Sequence, residues 1–314
     1  MRLSLLLLSL LLLVGCQQQH KKENVPKLPN QYITVLGVAQ DAGYPHIGCQ
    51  KLCCEAYYSG DEQKKRVTSL GLVDHLNHTK YLFEATPDIA TQLHDLNTLH
   101  LPKDNIIDGV FLTHAHIGHY TGLMYFGREA KGANNIPVYA MPKMRSFLEN
   151  NAPWSQLVDL ENIAIEPIEK EAVVYLNNRL KVSPFLVPHR DELSETVGYK
   201  IQGESKTALF IPDINKWELW SKNIITEVKK VDYAFLDATF FKDGEIPRPM
   251  NEVPHPFIEE TVALFENESA ALKSKVIFIH FNHSNPAILS DHKLKRILEA
   301  KGFQFAKEGA VYGL

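Results

Sequence analysis

Short runs rich in β-branched and aromatic residues recur along the chain, at 32–37, 69–74, 81–85, 109–113, 180–187, 196–202, 208–212, 233–236 and 276–280, and each predicts a strand. Apolar positions at helical spacing appear at 145–160, 256–266 and 286–300. Pro286 opens the last of these, where a first-turn proline is tolerated. Asn77 and His78 stand between two strand-like runs and mark a hairpin turn. Strands and helices interleave throughout, without a Gly/Ser-rich linker and without a repeat at the period of roughly 20–50 residues that marks solenoids. The expectation is a single α/β domain over residues 31–314, sheets inside and helices outside.

The first residues follow another pattern. Arg2 supplies a positive charge and residues 3–14 are almost wholly apolar. A run of about a dozen such residues fits a signal-peptide core and is short for a membrane span. It ends in Leu13-Val14-Gly15-Cys16, which resembles a bacterial lipobox, in which the cysteine carries the lipid and becomes the first mature residue. The reading is a lipoprotein signal peptide over 1–15 and lipidation at Cys16, with an uncleaved anchor or a plain secretory signal as the alternatives. A polar tether follows over 16–30, containing Lys21, Lys22, Pro26 and Pro29. Gln17 resembles the Gram-negative sorting pattern for the outer membrane. An exported lipoprotein, held to that membrane by the lipid and facing the periplasm, is therefore expected.

Composition changes this picture little. The 314 residues are 45% hydrophobic and 22% charged, enough for a large core. The formal net charge of −4 offers no polyphosphate-binding surface, so no nucleic acid partner is expected. A small-molecule or peptide substrate is the expected ligand.

The chemistry concentrates at Val110-Phe111-Leu112-Thr113-His114-Ala115-His116-Ile117-Gly118-His119, where an apolar strand runs into three histidines. In extended chain, residues i and i+2 project to the same side, so His114 and His116 can grip one ion, and His119 lies about one turn further on. Imidazole is the commonest neutral nitrogen ligand of zinc, iron and manganese.

This stretch resembles the His-x-His-x-Asp-His signature of the metallo-β-lactamase superfamily, with one departure: Gly118 stands where that family usually carries aspartate. Val187-Pro188-His189 followed by Val197-Gly198-Tyr199, Ile211-Pro212-Asp213, and Ile277-Phe278-Ile279-His280 resemble the family's later motifs, in the same order and at strand ends. The resemblance implies a four-layer αββα sandwich. It implies one metal on His114, His116, His189 and Asp213, and a second, if it forms, on His119, Asp213 and His280. Losing a carboxylate at 118 lowers the charge available to that second ion.

Further segments resemble the pyrroloquinoline-quinone biosynthesis protein B family along nearly the whole chain after the leader. They are 37–45, which leads into the cysteines, 85–89, 236–240, and Asn282-His283-Ser284-Asn285-Pro286. Val253-Pro254-His255-Pro256 falls where that family also carries a histidine loop; His255 is either a proton donor at the mouth of the site or a surface histidine. Export and the fuller set of histidines suggest a paralogue with its own substrate.

Cys49, Cys53 and Cys54 form a second candidate cluster. In related phosphodiesterases of the superfamily, such cysteines share a structural zinc with the histidine three positions after the last active-site histidine, here His283. The resemblance implies a zinc on Cys49, Cys53, Cys54 and His283, with His46 in reserve. The spacing departs from that family's Cys-x-Cys-x-x-Cys, and on this reading adjacent Cys53 and Cys54 cannot both face one ion without a kinked backbone. One disulfide plus a free thiol is the rival reading.

Three functions follow. The first is a metal-dependent hydrolase acting on an ester, phosphodiester or amide, with one or two Zn²⁺ (or Fe or Mn) activating a water and His119 or His255 protonating the leaving group. The second, from the quinone-biosynthesis resemblance, is an iron-dependent oxygenase. The third is a non-catalytic periplasmic binding lipoprotein on a decayed scaffold.

Overall fold

A strand covered on both faces is apolar on both, and alternate residues then belong to different buried clusters. A computed structural model, which describes residues 28–314 apart from Arg248, shows this division clearly. In β1 (Gln31–Gly37), Ile33 and Val35 join one cluster while Tyr32 and Leu36 join another. In β2 (Ser69–Asp74), β3 (Thr79–Phe83) and β4 (Gly109–Phe111), the first cluster takes Leu70, Leu72, Phe83 and Phe111. The second takes Val73, Leu82 and Val110.

The remaining strands are β5 (Ile136–Ala140), β6 (Ile163–Pro167), β7 (Val174–Tyr175), β8 (Lys181–Leu186), β9 (Val197–Gln202), β10 (Thr207–Ile211), β11 (Tyr233–Asp237), β12 (Val276–Ile279), β13 (Gln304–Phe305) and β14 (Val311–Gly313). They build two seven-stranded sheets, in the orders β14-β1-β2-β3-β4-β5-β6 and β13-β12-β11-β10-β9-β8-β7. The first cluster runs from the first sheet into the second, where it holds Val182, Tyr199, Phe210 and Phe235, and continues to the helices that cover the second sheet.

Helices close the outside. After α1 (Leu52–Tyr58) come α2 (Ile89–Asp95), the short α3 (Ile117–Tyr120), α4 (Pro142–Asn150) and α5 (Trp154–Asp159). Ile89, Leu93, Met144, Leu148 and Leu157 of these helices cover the first sheet. On the second sheet, α6 (Ile224–Lys229), α7 (Ile258–Leu264), α8 (Ala270–Lys273) and α9 (Lys293–Ala300) contribute Ile224, Val228, Ile258, Leu272 and Leu298. The result is the four-layer αββα sandwich the sequence led us to expect.

Strand direction positions the site. β1 and β3 both run antiparallel to β2, and β4 runs parallel to β3, so the chain leaves β1, β3 and β4 at one edge. β8 and β10 both run antiparallel to β9, while β11 and β12 run parallel to β10, so their exits also share an edge. The backbone after β1 meets the backbone after β12: Gln40 N–H donates to the Phe281 carbonyl at 2.8 Å, and Phe281 N–H to that of Val38 at 2.8 Å. Val197 N–H reaches the Thr113 carbonyl at 3.1 Å, and the Tyr199 hydroxyl donates to the Leu112 carbonyl. These bonds stitch the two exit edges into one rim.

Two long helices expected from periodicity are each broken. The 145–160 segment is α4 and α5, separated by a turn containing Pro153, which cannot donate to a helical ladder. The 286–300 segment is a single 3₁₀ turn at Pro286–Ile288 and then α9, which starts afresh where His292 caps Leu294 N–H.

Candidate metal centre

At the end of β4 the chain continues as Leu112 and Thr113, then turns into the rim. Ala115 N–H donates to the Ser194 hydroxyl at 2.8 Å, fixing the turn between His114 and His116. His114 Nε2 and His116 Nδ1 lie 2.8 Å apart. Asp213 follows β10 and His189 follows β8; Asp213 places one carboxylate oxygen 3.4 Å from His114 Nε2 and the other 3.3 Å from His189 Nε2. Two ligand atoms each roughly 2.0–2.2 Å from one ion are separated by about 2.8–4.3 Å, depending on the angle. His114, His116, His189 and Asp213 meet that requirement as a group, with all four ligand atoms within 4.8 Å of one another.

Outer partners set the tautomers. Thr113 Oγ1 lies 2.9 Å from His114 Nδ1, Asn215 Oδ1 lies 3.2 Å from His189 Nδ1, and Thr239 Oγ1 lies 2.9 Å from His280 Nδ1. Each oxygen accepts the Nδ1 proton and leaves the Nε2 lone pair facing the centre, the arrangement typical of metal-binding histidines. Burial lowers the pKa of His114, His189 and His280, and takes His116 down to about 4. These imidazoles are thus neutral donors at neutral pH. Burial alone would raise the Asp213 carboxyl, but His189 and His255 outweigh it and hold Asp213 well below the usual carboxylate range.

A second group adjoins the first. His119, on α3, and His280, just after β12, lie beside Asp41, which follows β1. His119 Nε2 is 3.1 Å from Asp41 Oδ1 and 3.8 Å from Asp213 Oδ2. Behind it, Glu84 Oε1 lies 3.3 Å from Nδ1. Burial works against protonation of His119, yet Glu84 and Asp41 raise its pKa well above the ordinary imidazole value in the metal-free protein. Asp41 Oδ1, Asp213 Oδ1, His119 Nε2 and His280 Nε2 are buried and make no hydrogen bond among the described residues, although oppositely charged groups are close. A desolvated polar atom without a bond costs about 1–3 kcal/mol. A cation at the shared focus removes that cost, so the residues fit a metal.

Two non-glycine residues at the centre take left-handed backbone, Glu84 at φ 75° and His280 at φ 69°. Such conformations cost of order 1–3 kcal/mol and persist where the surroundings enforce them. Here they aim a carboxylate and an imidazole inward from strand ends. His255 lies deeper than a surface loop histidine: its Nδ1 is 3.0 Å from Asp213 Oδ1 and 2.9 Å from Asp237 Oδ2. Burial opposes its charge, but Asp237 and Asp213 raise its pKa to about 10. Asp41, Glu84, Asp237, Asn215 and Thr239 were not singled out from sequence. The missing carboxylate at Gly118 was the one signal that a replacement should be sought.

The cysteines form a separate group. Cys53 and Cys54 lie in the first turn of α1, and each Sγ is 3.5 Å from His283 Nδ1; Cys49 Sγ is 3.6 Å from Cys53 Sγ. Tetrahedral zinc with Zn–S near 2.3 Å and Zn–N near 2.05 Å separates ligand pairs by about 3.6–3.8 Å. A disulfide would hold the sulfurs at about 2.05 Å, so the disulfide reading fails. No kink is needed either: one helical turn lets neighbouring cysteines reach the same imidazole. His46 is not part of the group; its ring packs on His283, with centroids 4.3 Å apart.

Between the two groups opens a cleft of about 420 Å³, lined by Arg190, Phe240, Pro254, His255, Asn282 and His283, among others. His255 forms part of its floor and touches Asp213, so the cleft leads to the centre.

Residues 79–281 match the family described as beta-lactamase superfamily domain. The chain belongs to the metallo-β-lactamase superfamily. Within that superfamily it is similar to the coenzyme PQQ synthesis protein B of Gluconobacter oxydans, 25% identical over 308 residues, covering 90% of this chain and 98% of that protein. The protein of that name from Cupriavidus necator is 23% identical, with 90% and 99% coverage. Among solved structures, Zn²⁺-bound PqqB from Methylobacterium extorquens superposes with a TM-score of 0.75 at 20% identity, covering 90% of this chain and 100% of that one. A diphosphatase from the PhnP family gives 0.61 at 24% identity, covering 90% and 96%. At these identities the structural likenesses establish a shared metallo-β-lactamase fold.

Cys16 and the leader lie outside the described residues. Among the described residues, no helix is long and apolar enough to cross a membrane.

Proposed function

We propose that the protein is a metal-dependent hydrolase, and the observation carrying this reading is the closeness of two ligand groups, Asp213 Oδ2 lying 3.4 Å from His114 Nε2 and 3.8 Å from His119 Nε2, beside a cleft that His255 lines. Divalent ions bound there would lower the pKa of a water toward neutrality and polarise the bond to be cut. His255, charged and held by Asp237 and Asp213, stands on the cleft floor where a leaving group would need a proton. Arg190, at the mouth, supplies a cation for an anionic substrate, which favours a phosphodiester over a neutral amide. Cys49, Cys53, Cys54 and His283 carry a structural zinc in this reading.

The test is turnover of bis(4-nitrophenyl) phosphate by protein loaded with Zn²⁺ or Mn²⁺. Hydrolysis should disappear on chelation and return on re-addition of the ion. If phosphodiester, lactone and amide probes all stay intact while iron-loaded protein consumes O₂, the hydrolase reading falls. The oxygenase suggested by the likeness to the PQQ synthesis proteins then takes its place. We further place the protein on a membrane through lipid on Cys16, supported by the apolar run that ends there. Cys16→Ser should move it from the membrane to the soluble fraction on cell fractionation; an unchanged distribution would refute the anchor.

A further inference from the structure

Gly118 leaves the His-x-His-x-x-His stretch without its usual carboxylate, yet the space beside it is not empty. A Cβ on residue 118 would lie 2.4 Å from Asp41 Oδ1 and 2.5 Å from Asp41 Cα. Non-bonded carbon does not approach another heavy atom that closely, so any side chain at 118 and the present position of Asp41 exclude each other. Asp41 comes from a different part of the chain, beyond β1. Two bonds to Phe281 hold that backbone, and the Asn282 side-chain amide donates to Gln40 Oε1 at 2.6 Å. The same segment carries His280, so this ladder sets Asp41 against the second ligand group.

We propose that Asp41 is the carboxylate ligand of a second metal position, completed by His119, His280 and a shared oxygen of Asp213. Asp41 Oδ1 lies 3.1 Å from His119 Nε2 and 3.9 Å from His280 Nε2, and Asp213 Oδ2 lies 3.8 Å from His119 Nε2. All three separations fall in the range of about 2.8–4.3 Å expected for atoms sharing one ion. Asp41 Oδ1 and both Nε2 atoms are buried and adjacent, yet none makes a well-aligned hydrogen bond, so they converge without satisfying one another. The carboxylate that neutralises the second ion has moved from the histidine turn to the exit of the first strand, and Gly118 is the vacancy that admits it. The two-ion arrangement this completes rests on the hydrolase reading for its use, but not for its existence.

The experiment is metal content and affinity of full-length protein and its Asp41→Asn variant after loading with Zn²⁺ and exhaustive dialysis. The variant should retain one ion fewer per chain. It should bind that ion at least ~100-fold more weakly, beyond the 10–100-fold cost of losing an outer partner. The cysteine-bound ion and the melting temperature serve as folding controls. Should the variant fail to fold, Mn²⁺-loaded wild type still decides by electron paramagnetic resonance. A spin-coupled pair, expected for ions roughly 3.5–4 Å apart, supports the site, and isolated Mn²⁺ signals refute it. Asp41→Asn with wild-type metal load and affinity would overturn the assignment. If the load falls as expected but no probe ester is hydrolysed by wild type, the Asp41 site stands and the hydrolase reading fails.

Discussion

Replacing Asp213 with Asn should abolish metal retention at the histidine centre and lower kcat/KM for a phosphodiester probe by about 10³-fold or more. Asp213 faces both ligand groups: its oxygens lie 3.3 Å from His189, 3.4 Å from His114 and 3.8 Å from His119. An amide of the same shape removes the negative charge, and its NH₂ end points a proton at a cation. Metal ions contribute several kcal/mol to charge stabilisation in the transition state. At about 1.4 kcal/mol per factor of ten, losing ~4 kcal/mol is roughly 10³-fold. Asn215→Ala gives the contrast, because Asn215 acts only by orienting His189; a loss of about 10–100-fold in metal affinity is expected there. Isothermal titration with Zn²⁺, alongside steady-state kinetics, separates the two variants. An Asp213→Asn protein that kept its ions and its rate would show that the histidine centre is not where the chemistry happens.

Cys54→Ser should lower the melting temperature by about 8–16 °C while leaving the histidine centre able to bind metal. A ligand that binds only the folded state, present at ~1,000 times its dissociation constant, stabilises by about 4 kcal/mol. For a chain of this size, each kcal/mol moves the midpoint by roughly 2–4 °C. The cysteine group joins α1 to His283, which lies at the opposite end of the sequence, so its loss frees the segment that follows β12. Burial, with the neighbouring cysteines, pushes the Cys54 thiol up to about 12 in the metal-free state, and the ion must displace that proton. Differential scanning calorimetry with and without chelator is the measurement. If wild type and variant melt together in zinc, the cysteines are not a structural site.

The candidate ligands that sequence disclosed share a local cause. His114, His116, His189, Asp213 and His280 each terminate or closely follow an apolar strand, and polar residues at such positions stand out against the run before them. Cys49, Cys53 and Cys54 stood out by their clustering, while His283 was legible only through likeness to relatives, and the group's geometry was misjudged because the turn at Leu52–Tyr58 had not been read as helical. Asp41, Glu84 and Asp237 escaped notice for a different reason. Asp41 and Asp237 lay inside segments noted for their family likeness, but no local pattern marked either as a ligand or partner; they acquire a role when sheets built from distant segments close on one another. A single α/β domain was legible because strand-like and helical runs interleave along the whole chain, while the four-layer arrangement came from likeness to the superfamily. The broken helices were missed where a local proline or cap overrode a periodic pattern. Short edge strands such as β7 and β13, two residues each, are too brief to show alternation at all.

The rim ladder between Val38–Gln40 and Phe281 implies an order of events during synthesis. The partners in that ladder are joined by most of the polypeptide, so their pairing belongs to the slow, non-local class of contacts. A nascent chain that has emerged only as far as β11 already owns His114, His116, His189 and Asp213, but has nothing to bring Asp41 beside an imidazole from β12. Capture of an ion by the first quartet can thus precede completion of the barrier-limited final docking. The neighbouring position, like the cysteine group, becomes available only once the segment from His280 onward arrives. Maturation of this protein would then proceed by sequential loading, with the C-terminal segment acting as the latch.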